Sequence, residues 1–281
     1  MNQPRILFLD HVGVLGGAEL YLLDLARHFR ETSEVMLFES GPFQDRLQAD
    51  SIPVHVCPAP SGFLNTQKSG GWTSALESIP GLLSLTRSVA QRAAGFDLLY
   101  ANSQKSLFVA GLAGLWADTP VIWNLHDMLT ASRFSAFSRR AIVAWANGLT
   151  DRVVVNSEAT RAAFAKSGGR SDKTTLVYNG IDPAPFTDPA PADPPRTDLD
   201  LPSAPLLGVF SRLAPWKGQH VVLDALSDVE DVHAVFVGDT LFRGDAPYEE
   251  RLREQAGSLG VENRVHFLGF RDDVPRLRSA G

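Results

Sequence analysis

Leu206-Leu207-Gly208-Val209-Phe210-Ser211-Arg212-Leu213-Ala214-Pro215-Trp216-Lys217-Gly218 is the stretch on which the fold turns. The apolar run Leu206 to Phe210 predicts a short buried strand. Arg212 follows at its end, then a tight turn containing Pro215, then Lys217 and a glycine that open a helix. In open α/β sheets ligands bind at the carboxyl ends of strands. Backbone N–H groups and the dipole of a helix start favour anions there, phosphate above all. Arg212 can grip two phosphate oxygens with its planar fork, and Lys217 adds a compact charge. The plainer alternative is a solvated turn with two surface cations. The order of strand, turn and helix favours phosphate.

Working outward, the stretch is preceded by a change in composition. Eight of the 18 prolines fall between Pro183 and Pro205. Such a run excludes a helix or a central strand and predicts a semi-rigid extended linker. The expected organisation is an N-terminal domain over residues 1–182, a linker over 183–205 and a second domain over 206–281.

The first domain alternates strands and helices. Strands are predicted at Ile6–Leu9, Val35–Phe38, Val54–Val56, Leu98–Ala101, Val121–Asn124, Arg152–Val155 and Leu176–Tyr178. Leu22, Leu25, Ala26 and Phe29 lie on one face of a first helix. Further helices are predicted near residues 74–94, 106–116, 134–147 and 158–167, with a polar loop at 58–71. This alternation implies right-handed βαβ units and a parallel sheet. After the linker it restarts, with strands at 206–210, 234–237 and 265–268 and helices at 218–226 and 248–259. Three strands are few for a doubly wound domain, so the second domain is expected to be incomplete, part of a longer two-domain protein.

Two constellations in the first domain carry chemistry. His11 to Glu19 places Gly16 and Gly17 where the first strand feeds the first helix, so backbone can approach a ligand. The spacing is not that of a dinucleotide fingerprint, and a turn shaped by glycine alone stays open. His126-Asp127 ends a mid-domain strand, where a histidine can serve as hydrogen-bond partner or general base. No second histidine or glutamate stands at metal-ligand spacing, so no metal is expected.

The chain has 281 residues, 44% hydrophobic and 21% charged, with net charge −6. That describes a globular protein without the basic field that nucleic acid would attract. The single cysteine, Cys57, excludes an intrachain disulfide and suits a reducing compartment. No signal peptide or membrane span is legible, so a cytoplasmic location is expected. Arg133, Arg139 and Arg140 beside Phe134 and Phe137 leave peripheral contact with an anionic membrane face open; a packed helix with a basic outer face is the alternative.

The ordered set Gly16-Gly17-Ala18-Glu19, His126-Asp127, Val155-Asn156-Ser157, Tyr178-Asn179-Gly180-Ile181-Asp182, Ser211-Arg212 through Lys217-Gly218, Val237-Gly238 and Val265 to Phe270 resembles the GT-B glycosyltransferases, in particular retaining family 4. The resemblance implies two Rossmann-like doubly wound domains facing a cleft, and transfer of a hexose from a nucleoside-diphosphate sugar to an acceptor hydroxyl with retention, without metal or other cofactor. It implies that Arg212 and Lys217 hold the diphosphate, that Gly16 and Gly17 close over it, and that His126 contacts the donor sugar. Gly238, Phe267 and Leu268 would flank the nucleotide, with Asn102 and Ser103 near the acceptor. Glycan, lipid-linked and small-molecule acceptors all fit. The family's E-x7-E glutamates are expected beyond Gly281. A non-catalytic fragment or degenerate relative acting as a binding module is therefore the alternative.

Overall fold

The computed structural model describes residues 3–64, 72–132, 134–184, 196, 199–240, 246–274 and 277, the side chains at 61, 64, 72–78 and 246 aside. Two compact units divide the chain, Met1–Gly180 and Ile181–Gly281.

The first unit is built on seven strands: β1 (Ile6–Asp10), β2 (Ser33–Leu37), β3 (Val54–Val56), β4 (Leu98–Ala101), β5 (Val121–Leu125), β6 (Arg152–Val155) and β7 (Thr174–Leu176). All pairs are parallel, in the order β3-β2-β1-β4-β5-β6-β7. The chain winds outward from β1 to β3, then returns to the other side of β1 with β4. The switch in winding lies between β1 and β4, where such sheets open a crevice beyond their strand ends.

Alternation within β1 explains why helices cover both faces. Leu7 and Leu9 join Leu99, Trp123 and Val153 under α4 (Trp72–Ala93), α5 (Gln104–Ala117), α6 (Ala136–Leu149) and α7 (Glu158–Lys166). Ile6 and Phe8 point the other way, into Leu22 and Leu23 of α1 (Gly17–His28) and Phe43 and Leu47 of α2 (Pro42–Ala49). A strand buried on both faces reads as an unbroken apolar run. Serine hydroxyls start three of the helices. Ser103, Ser135 and Ser157 accept from the N–H groups of Ser106, Ser138 and Thr160 at 3.3, 3.1 and 3.1 Å. Each such cap contributes about 1 kcal/mol.

Several boundaries differ from the sequence expectation. The helix α2 was not predicted; its two turns carry only Phe43 and Leu47 as an apolar pair at i and i+4, too few to mark a periodic pattern, but Pro42 opens it and both side chains share its buried face. A short helix α3 (Ser61–Leu64) begins inside the expected loop, and residues 65–71 lie outside the described set. β7 is Thr174–Leu176 because Thr174 pairs with Val153, leaving Tyr178 exposed past the strand.

Among its described residues the second unit has three parallel strands, β8 (Leu206–Phe210), β9 (His233–Val237) and β10 (Val265–Phe267), in the order β10-β9-β8. On one face α8 (Gln219–Ser227) and α9 (Ala246–Ser258) bury Leu223, Leu226, Tyr248 and Leu252 against Ala234 and Phe236. The other face carries Val235 and Val237, packed with Leu199, Leu201 and Leu277. Residues 199–205 are thus a packed turn of this unit and not free linker. Arg196 holds them, donating from Nη1 to the carbonyls of Pro202 and Ala204 at 2.9 and 3.0 Å. Residues 185–195, 197 and 198 of the expected linker lie outside the described set.

Candidate functional site

At the switch point of the first sheet, three adjacent strands end in polar side chains that bond to one another. Asp10 closes β1, Asn102 follows β4 and His126 follows β5. Asp10 is fully buried and Asn102 is 1% exposed. The Asn102 amide donates from Nδ2 to Asp10 Oδ2 at 2.6 Å and to the Ala18 carbonyl at 3.2 Å. Its Oδ1 lies 2.9 Å from His126 Nε2. The other carboxylate oxygen of Asp10 accepts the His11 N–H at 2.6 Å, and His11 Nδ1 stands 2.8 Å from Ser103 Oγ. Buried polar groups persist only when satisfied in this way.

The surroundings tune this cluster. Burial pushes the His126 imidazole below its ordinary value of 6.5, although the carboxylates of Asp10 and Asp127 pull the other way. The ring is held edge-on to Tyr21, centroids 5.7 Å apart. Its carbonyl accepts from Asn156 Nδ2 at 3.3 Å. That bond gives the Val155-Asn156-Ser157 motif its structural meaning: Asn156 braces the neighbouring strand end while Ser157 caps α7. Burial also lowers Lys105, against the opposing pull of Glu39.

Gly16 and Gly17 sit at the start of α1 as expected. The Gly16 N–H is taken by Glu19 Oε2 at 2.9 Å. Gly17 borders open space; a Cβ there would meet nothing within 4 Å, so a ligand has room to reach the first-turn backbone. The loop before them is fixed by a close crossing: a Cβ on Gly13 would come within 2.3 Å of the Ser40 carbonyl oxygen.

In the second unit the loops after all three strands are laced together by backbone. Ser211 N donates to Val237 O at 3.0 Å, Leu213 N to Asp239 O at 3.1 Å, and Gly238 N to Gly269 O at 2.8 Å. Gly238 has φ +145° and lies so close to Ser211 that a Cβ would meet its carbonyl oxygen at 2.1 Å. Gln219, fully buried, ties the helix start to the loop through Nε2, to Ser211 Oγ at 3.0 Å and Arg212 O at 2.9 Å. The Arg212 guanidinium lies 4.9 Å from the centre of the Trp216 ring, a cation–π distance. Lys217 ends the 3-10 turn Pro215–Lys217 and is exposed. The strand-end loop thus carries two cations beside the N-terminus of α8.

The family model for Glycosyltransferase Family 4 matches residues 15–185, and that for Glycosyl transferases group 1 matches residues 199–280. The chain belongs to glycosyltransferase family 4. Among solved structures, Anabaena HepE in complex with UDP and glucose is 40% identical, with a TM-score of 0.86 over 99% of this chain and 72% of that one. A glycosyltransferase from Rickettsia africae, 18% identical, matches in fold with a TM-score of 0.76 over 100% of this chain and 72% of that one. The GDP-mannose-dependent alpha-(1-6)-phosphatidylinositol monomannoside mannosyltransferase of Mycobacterium tuberculosis is 33% identical over 129 residues, which is 45% of this chain and 33% of that relative. The match therefore spans a third of the length of that curated relative.

Within this family 4 chain the sequence-predicted residues fall into distinct settings. Arg212, Lys217 and Gly238 share one set of strand-end loops, and Asn102, Ser103 and His126 share another. Asn102, expected at an acceptor, has its amide engaged by three protein partners. Phe267 and Leu268, expected at the nucleotide, pack against cores on opposite faces: the Phe267 ring lies tilted 5.2 Å from that of Phe236 with the Arg253 guanidinium 4.1 Å from its centre, and Leu268 packs on Val235 and Val237. Asp10, His11 and Gln219 were not predicted. Asp10 carried a signal, a carboxylate closing an apolar strand that is buried on both faces. Among the described residues no three His, Cys, Asp or Glu side chains gather as metal ligands, and no helix is long and apolar enough to cross a membrane.

Proposed function

We propose that the protein transfers a hexose from a nucleoside-diphosphate sugar to an acceptor hydroxyl with retention of configuration. The observation that carries the reading is the braced loop after β8, with Arg212 and Lys217 at a helix start, in a chain 40% identical to a protein whose complex holds UDP and glucose. The bond from the anomeric carbon to the diphosphate breaks, and negative charge grows on the leaving group. Arg212, Lys217 and the first N–H groups of the turn stabilise that charge, which is the largest single contribution in chemistry of this kind. The acceptor oxygen bonds the same face of the sugar, and its proton passes to the departing phosphate. In this reading the two cations do the work of a metal. His126 meets the sugar, and the Gly238–Gly269 backbone lies along the nucleotide. Uridine is the favoured base, since HepE is the more similar relative over the greater length.

Titration calorimetry of the full chain with UDP tests this. Arg212→Ala and Lys217→Ala are each expected to weaken binding about tenfold or more, the loss of one charge-assisted contact. Unchanged affinity in both variants refutes the diphosphate role.

A lipid-linked acceptor is the favoured class. A cavity of about 670 Å³ opens two residues beyond His126, floored by Leu129, Ala159 and Ala163 and rimmed by Arg139, Arg140 and Lys166. Phe137, 82% exposed, stands one turn before Arg140 on the same helix. Apolar floor and cationic rim suit a phosphate-bearing amphiphile at a membrane face, against a chain whose net charge is −6. Arg133 lies outside the described residues.

A further inference from the structure

We infer that Asn102 is a positioning residue that fixes His126 as its Nε2–H tautomer, so that Nδ1 is presented as an acceptor for a hydroxyl of the bound sugar. The ligand half of this rests on the proposal that a sugar binds at His126; the tautomer does not.

Direction can be assigned to each bond in the chain. The Ala18 carbonyl can only accept, and it lies 3.2 Å from Asn102 Nδ2. Asp10 Oδ2, 2.6 Å away, takes the other proton of the same amide. The Asn102 amide therefore cannot be turned over without placing its oxygen against two oxygens. Its Oδ1 must face His126, and an amide oxygen has no proton to give. The bond of 2.9 Å to His126 exists only if Nε2 carries the hydrogen.

A second contact competes. Asn124 Nδ2 is drawn 3.0 Å from the same Nε2, which would require that nitrogen to accept. Both cannot hold. An oxygen and a nitrogen of an amide are interchangeable by rotation, so Asn124 resolves the conflict by presenting Oδ1 to the shared N–H. Asn102 has no such freedom, because its far side is anchored on a carboxylate, and charge-assisted bonds are roughly twice as strong as neutral ones. Burial keeps the ring neutral near pH 7, so one nitrogen only is protonated. Nδ1 makes no hydrogen bond among the described residues. It is a lone pair at the edge of a polar cluster at the strand ends. A lone pair selects for a ligand O–H and against a ligand carbonyl or phosphate oxygen. The site is thus specific for the hydroxyl side of a sugar nucleotide.

Long-range ¹⁵N–¹H correlation spectra of the full chain labelled at histidine test this directly, with His126 assigned by the resonance lost in His126→Asn. The wild type is expected to show protonated Nε2 and bare Nδ1. Asn124→Ala keeps that pattern, and Asn102→Ala shifts it toward the other tautomer. Addition of UDP-glucose, but not UDP, moves the Nδ1 resonance toward the hydrogen-bonded range. Protonated Nδ1 in the free wild-type protein overturns the inference whatever binds, and needs no variant to be folded. A retained Nε2–H pattern in folded Asn102→Ala overturns the role of Asn102. If the free protein has the Nε2–H tautomer but UDP-glucose binds without moving Nδ1, the hydroxyl contact is overturned while the diphosphate reading stands.

Discussion

Gly218 and Gly238 both have positive φ, yet their replacement by alanine should differ sharply. Gly218 has φ +80° with nothing within 4 Å of a built Cβ. Alanine there meets left-handed strain of about 1–2 kcal/mol, offset by about 0.4–1 kcal/mol from the stiffer unfolded chain. The net cost is about 1 kcal/mol. Gly238, at φ +145°, carries strain of about 1–3 kcal/mol. Its Cβ would also lie 2.1 Å from the Ser211 carbonyl oxygen, so that backbone must retreat by about 1.3 Å to restore ordinary contact at 3.4 Å. Such a retreat breaks bonds that lace the loop, among them Ser211 N to Val237 O and Gln219 Nε2 to Arg212 O. Two lost bonds add about 2 kcal/mol, and the same unfolded-chain offset applies, bringing Gly238→Ala to about 3.3 kcal/mol. The gap of about 2.5 kcal/mol corresponds to about 70-fold in an opening equilibrium. Native-state hydrogen exchange over residues 206–240 reads it: Gly238→Ala should accelerate the protected amides about 70-fold beyond Gly218→Ala. Equal acceleration in the two variants refutes the clash, and with it the requirement for glycine where residue 238 crosses the Ser211–Arg212 backbone.

Two further outcomes are expected. Burial lowers His126 and His266, the latter with help from the nearby His233, so the folded chain binds fewer protons than the unfolded one near pH 6. Their contribution to stability is then complete above the ordinary value of 6.5 and shrinks as pH falls through the window below it; urea unfolding at pH 7.5 and 5.5 should show the loss, and His126→Gln should reduce it. For the cavity beside α6, the full chain should sediment with vesicles containing anionic phospholipid and not with neutral ones, and Arg140→Glu with Lys166→Glu should release it. Equal sedimentation with both vesicle types counts against the lipid-acceptor reading.

What was legible in the sequence followed from local pattern. Parallel alternation showed in the apolar runs of β1 and β5, because strands buried on both faces need no partner to be recognised. The Arg212–Lys217 turn was legible for the same reason, since strand, turn and helix start lie within 13 residues. The run at β8 gave the strand but not its burial: Leu207 and Phe210 are exposed there, against the expectation of a buried strand. What was hidden depends on distance along the chain. Asp10 and Asn102 are 92 residues apart, and only the placement of β4 beside β1 makes them partners. The crossing of Gly13 over Ser40, and with it the start of α2, likewise exists only in the folded sheet. The setting of Phe267 was hidden for a different reason. In an aromatic, glycine-bearing segment it reads as a loop contact, but it is the last residue of β10, and its pleat faces α9.

The two units hold their strand ends by different physics, and the difference bears on how each recognises a ligand. In the second unit the frame is backbone: carbonyls and N–H groups of three loops bond to one another, and the cations stand outside that frame, Lys217 in water and Arg212 against an aromatic ring. In the first unit the frame is made of side chains, those of Asp10, Asn102 and His126. Removing one partner from Asp10, Asn102 and His126 leaves another buried and unsatisfied, at about 1–3 kcal/mol for each orphaned group. The cluster is therefore complete or absent, and it cannot wait for the ligand to assemble it. A site of that kind is preorganised, which suits the step at which a sugar must be held still relative to its leaving group. In the proposed reaction an anion grip and a fixed hydroxyl acceptor are complementary demands, and the construction of each unit suits the one proposed for it.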